Sequence, residues 1–419
     1  MRIIVIGGGA AGFFAAISAK EHNPEAEVTI LEKTSKFLGK VKISGGGRCN
    51  VTNATFNSRI LSESYPRGEK FLRKAFEVFN ASSMVEWLER RGVALKTYHD
   101  NCIFPLSNDS QTIIDCFLSE ARRLHINLQL SQSVDEIKPT PKGFRIHCKE
   151  TEYDADRVIV TTGGQPKMSG LLWLEDVGHQ IIPPVPSLFT FNMPQEPIRD
   201  LMGIVVEKAR VRVEGQKLVG KGPLLVTHWG MSGPAILQLS AWGARILAEK
   251  EYQCAILVNW LDDTKEEELR GQIILTIKEH GGKMVVNLNP FAMPNRLWAF
   301  LLDKNDIKPS LRWNELGGKA LNKLINTLIN DRYVVEGKTT FKEEFVTAGG
   351  IDLQDISVQT MESKKCPGLY FAGEIMDIDG ITGGFNFQSA WTTGFIAGKS
   401  AGLALHIPNN LHMVFRVDG

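Results

Sequence analysis

The spacing of apolar positions divides the chain into three stretches. The first opens with Arg2–Ile6, a run of β-branched residues that predicts a buried strand. Phe13–Lys20 then reads as a helix and Glu27–Leu31 as a second buried strand. Apolar residues at helical spacing predict helices over Glu69–Asn80 and Ala81–Arg91, with Phe71, Leu72, Ala75 and Phe79 on one face. Gly92 ends the second of these, and Asp109 or Ser110 can cap a third over Thr112–Leu124. Short apolar runs predict strands over Asn127–Leu130, Ser133–Ile137, Gly143–Cys148 and Asp156–Thr161.

The pattern changes at Pro183-Pro184-Val185-Pro186. Three prolines in four residues exclude a central strand or a helix interior and read as a domain crossing. Beyond them, Ser187–Asn192, Glu207–Glu214, Leu218–Gly220, Leu224–His228 and Gln253–Val258 read as strands. Ala235–Leu247, Thr264–His280, Pro294–Leu302 and Leu316–Asn330 read as helices. In the third stretch Phe345–Ile351 is strand-like and Gly368–Glu374 is a buried strand ending in Gly and an acid. A glycine-rich turn follows, and then a helix through about Leu405. The expected domains are 1–188 with 342–419, and an insert over 189–341 that is mostly β over 189–262 and mostly helical over 263–332.

Composition adds limits. The 419 residues are 43 % hydrophobic and 23 % charged, enough for sizeable cores. A net charge of +1 gives no overall electrostatic argument for nucleic acid or a membrane surface, so neither is expected as a partner. No apolar run reaches about 18 residues, the length of a membrane-spanning helix. The N-terminal apolar run contains three glycines and lacks a cleavage region, so no signal peptide is expected. The six cysteines are scattered, none in C-x-x-C and none beside histidines at metal spacing. The expectation is a reducing, cytoplasmic setting with no metal site.

The candidate chemistry starts at Gly7-Gly8-Gly9-Ala10-Ala11-Gly12, where Gly7, Gly9 and Gly12 satisfy G-x-G-x-x-G between strand and helix. Gly7 suits a tight turn, Gly9 a close pyrophosphate, and Gly12 close helix packing. Glu32 ends the second strand, where an acid can accept hydrogen bonds from a ribose diol. This unit alone serves FAD and NAD equally. The loop Lys33–Asn53 holds Gly39, Lys40, Ser44, Gly45, Gly46, Arg48, Cys49 and Asn50. Its glycines can lie against a flat ring, and Lys40, Lys42 and Arg48 can face phosphate or an anionic ring edge. A strand ending in Thr161-Thr162-Gly163-Gly164 lets backbone pass a ligand. Near the C-terminus, Gly373 and Glu374 end a strand and Gly383-Gly384-Phe385 opens a helix. Such a helix end would stabilise negative charge on a reduced flavin, and the acid would suit a ribityl chain. NAD needs neither, so the cofactor expected is FAD.

Three runs are more specific than the glycine fingerprint. They are Ser44-Gly45-Gly46-Gly47-Arg48-Cys49-Asn50, Thr227-His228-Trp229-Gly230-Met231-Ser232-Gly233-Pro234, and Thr382-Gly383-Gly384-Phe385-Asn386-Phe387-Gln388. Together they resemble the BaiN-like (YhiN-like) flavoproteins over essentially the whole chain. The last run has Phe385 where the family has Tyr, which removes a hydroxyl. The resemblance implies an α/β fold: a Rossmann-like two-dinucleotide-binding FAD domain with an inserted β-barrel-like plus helical domain. It implies an FAD-dependent oxidoreductase acting on a small organic substrate or dioxygen, with NAD(P)H as a transient donor. The candidate cofactor contacts are the residues named above, with Ala10, Ala11, Lys33, Val134, Asp379, Asn386 and Phe387. His228, in the second run, is the candidate proton donor. Two other readings stay open: a flavin-dependent RNA-modifying enzyme, and a non-catalytic FAD-binding redox module.

Overall fold

The computed structural model describes residues 1–149, 151–339 and 346–403. Five parallel strands form the first sheet, in the order Leu369–Phe371, Arg157–Val160, Arg2–Ile6, Glu27–Leu31, Asn127–Gln129. The β-branched Arg2–Ile6 lies at the centre and is buried from Ile3 to Ile6, as both faces are covered. The helix Ala10–His22 follows it, and the helix Phe385–Gly402 packs beside that one. Two small antiparallel sheets attach here. One joins Thr52–Asn53, Cys102–Pro105 and Leu95–Thr97; the other joins Val134–Thr140, Gly143–Cys148 and Glu152–Ala155.

The triple-proline segment becomes a strand, Ile181–Ser187, paired antiparallel with Val346–Ile351. The register shifts between Ile182 and Val185, where Pro183 and Pro184 sit. A two-stranded ribbon tolerates prolines at a bulge, whereas a central strand would lose ladder bonds there. One hydrophobic core runs from Ile3 to Ile181 and resumes from Ile351 to Ala401. A second core runs from Phe189 to Val335.

The second core lies under a seven-stranded antiparallel sheet. Its two outer members, Asp331–Glu336 and Lys338–Thr339, are one chain segment bent at Gly337. Asp331–Glu336 pairs with Gln253–Asn259 on one side, while Lys338–Thr339 pairs with Thr190–Asn192 on the other. Asn192 N–H donates to Gly337 O at 3.0 Å, so the sheet curls back upon itself as a barrel does. Helices Glu266–His280, Asn295–Lys304 and Gly318–Asn330 add their apolar faces to this core.

Several boundaries differ from the sequence expectation. Leu218–Gly220 and Leu224–His228 are one strand, Val219–Thr227. Ala235–Leu247 is two helices, Pro234–Trp242 and Ala244–Glu249, separated at Gly243. The loop expected after Glu32 contains a helical turn from Gly39, and the helix Ser58–Ser62 was not expected. The strand expected from Phe345 starts at Val346, Phe345 lying outside the described residues, as does Leu405. Among the described residues, no helix is long and apolar enough to cross a membrane.

Candidate functional site

The glycines of the first turn have distinct surroundings. Gly7 has φ +108°, and a Cβ there would lie 2.5 Å from Thr161 O. A Cβ at Gly12 would lie 1.9 Å from Gly7 O, so this helix can begin so close to the strand only without one. At Gly9, by contrast, nothing lies within 4 Å. That open space fronts the N-terminus of Ala10–His22, which has no side-chain cap and no acid in its first turn. Its N–H groups and dipole are therefore available to an anion. Glu32 sits beside it, half-buried, with Oε2 accepting from Gly8 N and Oε1 from Thr34 N, both at 2.8 Å. Each oxygen keeps a lone pair for a ribose hydroxyl. Val134 lies at this end too: Gln132, two residues before it, donates to Glu32 O at 2.9 Å. Lys33 is exposed beside the same loop.

A second helix N-terminus lies farther along the same direction. The helix Phe385–Gly402 packs on Ala10–His22 through Gly394, Gly398 and Gly402. A Cβ at these would lie 2.7, 2.1 and 2.7 Å from the carbonyl oxygens of Ala11, Ala15 and Ala19. Both series ascend together, so the helices are parallel and backbone touches backbone. The last helix starts nine residues before Gly394, and its N-terminus therefore projects about 13 Å beyond the contact with Ala11. Gly384 caps it at φ 89°, with no acid in the first turn. Two positive helix ends thus point the same way, offset along their shared direction. Pyrophosphate at the first and the electron-rich ring edge at the second are what an FAD spanning its ribityl chain requires. At the far end, Arg157 Nη1 donates to Ser400, Ala401 and Leu403 carbonyls, stabilising the negative helix terminus.

The Gly45–Asn53 run braces that second N-terminus. Asn50, with its amide oriented to satisfy both ends, donates to Thr52 O and Ile103 O and accepts from Gly384 N at 3.1 Å. Asn53 Nδ2 donates to Gly383 O, Thr52 Oγ1 to Gln388 Oε1, and Trp391 Nε1 to Val51 O. Tyr65 OH donates to Phe385 O at 2.6 Å, and burial raises its phenol pKa well above the usual value. Gly39 and Gly46 have no atom near a virtual Cβ, nor does Gly163 beside the half-buried Thr162. Ser44 Oγ donates to Val41 O, and Arg48 Nε to Gly45 O.

Other expected contacts have different tasks. Asp379 is fully buried and holds the Arg67 guanidinium through two bonds, while Ser187 Oγ donates to it at 2.6 Å. Arg67 also donates to Ala241 O at 2.7 Å, so this carboxylate joins the two cores and offers no free face to a ligand. Its pKa is raised, because burial outweighs the arginine beside it. Cys49 is buried, its thiol pushed up to about 12 by desolvation, which keeps it protonated and a poor nucleophile. Asn386 bonds both backbone groups of Gly380, holding the turn shut. Phe387 stacks on Trp391 at 5.5 Å. Glu374 bonds Lys40 Nζ through Oε2 at 2.9 Å and Thr347 N through Oε1 at 2.8 Å, each oxygen keeping a lone pair. Gly373 packs on Ala11, where a Cβ would meet the methyl at 2.9 Å.

His228 does not lie on a strand-to-helix turn. Thr227 pairs with Gly230, so His228-Trp229 is a two-residue hairpin loop. The imidazole is exposed, its ring edge-on to Trp229 at 4.3 Å. Trp229 Nε1 donates to Thr190 Oγ1 at 3.0 Å, and Arg199 Nε to His228 O at 2.8 Å. The sequence reading did not single out Arg67 or Thr347, and neither carried a local signal.

Residues 1–400 match the family model described as the HI0933-like protein Rossmann domain. The chain is 28 % identical over 408 residues to a 3-dehydro-bile acid delta(4,6)-reductase from Clostridium scindens, covering 96 % of this chain and 98 % of that one. It is 29 % identical over 415 residues to a ribosomal RNA dihydrouridine synthase from Escherichia coli, covering 95 % and 98 %. The fold is similar to that of a 3-ketosteroid-delta4-(5alpha)-dehydrogenase from Rhodococcus jostii. The TM-score is 0.51 at 15 % identity, with 96 % of each chain covered.

Proposed function

The chain belongs to the HI0933-like family of FAD-dependent oxidoreductases, and from that premise we propose that it saturates a carbon–carbon double bond conjugated to a carbonyl. The observation that carries this is the pair of offset, parallel helix N-termini at Ala10 and Phe385. The relatives supply the substrate chemistry. A Δ4,6-unsaturated 3-keto steroid and a uracil ring both hold a double bond conjugated to a carbonyl, and each relative's named reaction removes one. Bound FAD would supply hydride to the β-carbon, replenished from NAD(P)H.

The chain's own residues have the remaining work. Open backbone at Gly9 and the N–H groups of Ala10 and Ala11 hold pyrophosphate, and Glu32 holds the adenosine ribose. The N–H groups of Phe385 and Asn386 in the first turn of the last helix hold the charge that gathers on the ring edge, with Gly384 N–H committed to Asn50. His228 is the candidate donor of the proton that the α-carbon takes up, a role worth about 10²- to 10⁴-fold in rate. The proposed FAD domain is residues 1–188 with 342–419, and the insert 189–341 covers the ring. The test is anaerobic reduction of the purified protein by NADH and by NADPH, then reoxidation by a panel of enones and by uridine-containing RNA. A protein that no conjugated carbonyl reoxidises refutes the proposal.

A second observation favours the RNA member of this pair. Between Glu32 and Glu63 the sequence has six cations (Lys33, Lys36, Lys40, Lys42, Arg48 and Arg59) and no acid. The balanced net charge therefore hides a local excess of positive charge along the cleft.

A further inference from the structure

Part of that excess has no evident use in holding FAD. Lys33, Lys36 and Lys40 lie toward the first helix N-terminus, where a pyrophosphate would sit, and Lys40 bonds Glu374. Arg48 lies at the other end and faces outward. Its guanidinium carbon is 4.5 Å from the centre of the Phe104 ring. Phe104 meets Tyr98 edge-on at 5.4 Å, and Lys96 Nζ lies 4.9 Å from the centre of the Tyr98 ring. The four side chains form a ladder of cation, ring, ring, cation across the sheet of Thr52–Asn53, Leu95–Thr97 and Cys102–Pro105.

Three features give the ladder a direction. Phe104 is buried and floors it, while Arg48 and Lys96 are exposed and Tyr98 is half-buried. The inner end reaches the cofactor cleft: a Cβ at Gly45 would meet Phe104 at 2.9 Å, and Asn50 in the same loop accepts from Gly384 N. Two acids border it: Asp100 Oδ1 accepts from Cys102 N at 3.1 Å within the hairpin, and Asp109 Oδ1 lies 3.7 Å from Lys42 Nζ, while Tyr98 OH donates to Asn108 Oδ1 at 2.8 Å.

Alternating cations and aromatic rings suit a ligand of stacked planar bases joined by phosphates. A steroid-like substrate has no phosphates for Lys96 and Arg48 to meet. We propose that the Arg48–Phe104–Tyr98–Lys96 ladder is the docking platform for a single-stranded stretch of RNA. Bases stack on the Arg48 and Tyr98 planes, and a phosphate meets Lys96. One uracil of the strand is thereby carried over Gly45 to the ring end of the cleft. This rests on the RNA reading above, but it concerns where the strand lies rather than whether the ring is reduced.

The test uses the FAD-loaded full chain and a fluorescent RNA hairpin with uridines in its loop, read by anisotropy across a salt series. Tyr98→Leu should weaken binding about tenfold, while Tyr98→Phe, which keeps the ring, should bind as the native protein does. Lys96→Ala should lower the slope of log affinity against log salt by about 0.7. FAD content and NAD(P)H-driven reduction should be unchanged in all three. If Tyr98→Leu loses FAD, the exposed Lys96→Ala decides. Native-like RNA affinity in the variants, with the native protein binding and saturating RNA, overturns the platform and leaves the RNA reading standing. Native protein that reduces enones but neither binds nor saturates RNA overturns both. Loss of NAD(P)H-driven reduction with RNA affinity intact assigns the ladder to the coenzyme and also overturns the platform.

Discussion

Gly398→Ala sets two rules of thumb against each other. Alanine in a helix interior is favoured over glycine by about 1 kcal/mol, so propensity alone predicts a more stable protein. The structure predicts the reverse. The new Cβ would lie 2.1 Å from Ala15 O, against ordinary contact from 3.4 Å, so the helices must separate by about 1.3 Å. The obstacle is backbone, with no rotamer to turn aside. Forcing a close-packed contact apart costs about 1–3 kcal/mol, which leaves a net loss of up to about 2 kcal/mol after the propensity gain. The separation also displaces the last helix's N-terminus relative to the first. Charge-assisted bonds to a ligand spanning both ends, at about 1.5–3 kcal/mol each, would stretch together, and FAD affinity should fall at least about tenfold. Urea melts of apoprotein measure the first effect, and FAD titration of the same samples measures the second. A Gly398→Ala protein that is more stable and binds FAD as tightly as the native chain refutes the seam argument.

Glu32→Ala removes the acceptor for Gly8 N and Thr34 N, so calorimetric titration of apoprotein should show FAD affinity reduced about tenfold or more, and Glu32→Asp should be milder. Burial raises the Cys49 thiol from 9.0 to about 12, so below pH 9 the proton is held in both folded and unfolded chains. Above that the unfolded thiol ionises first, and stability is lost as pH rises toward the folded value; Cys49→Ala should flatten that decline in urea melts. His228→Ala and His228→Asn should lose substrate turnover while FAD content and NAD(P)H-driven reduction stay intact; normal turnover in both removes His228 from the chemistry.

What could be read from the sequence was local. Arg2–Ile6 and Glu27–Leu31 begin and end where expected, because a β-branched run and its flanking glycines settle a buried strand without help from elsewhere. The first half of the site followed from the same few residues. Long-range pairings were not legible. Asp379 looked like a ligand-facing acid until Arg67, 312 residues earlier, was found holding it. Nor did the sequence pair Glu374 with Lys40, which lies 334 residues before it in the chain and bonds it directly. The hairpin at His228-Trp229 escaped because its loop lacks the Asn-Gly or Asp-Gly of the favoured two-residue turns. Net charge misled for a different reason. A sum over 419 residues averages away an acid-free run of about thirty.

The ribbon between the two cores bears on how such a chain could be taken apart. Ser187 and Val346 are paired across it, so the polypeptide leaves and returns at neighbouring points, about 4.5–5.5 Å apart. A two-residue β-turn closes such a gap. Joining Ser187 to Val346 through Asn-Gly would excise everything between them without asking either strand to move. The second core is, in this sense, a cassette on a fixed socket. Exchange among relatives at those two residues would replace that core, His228 included, and leave both helix N-termini in place.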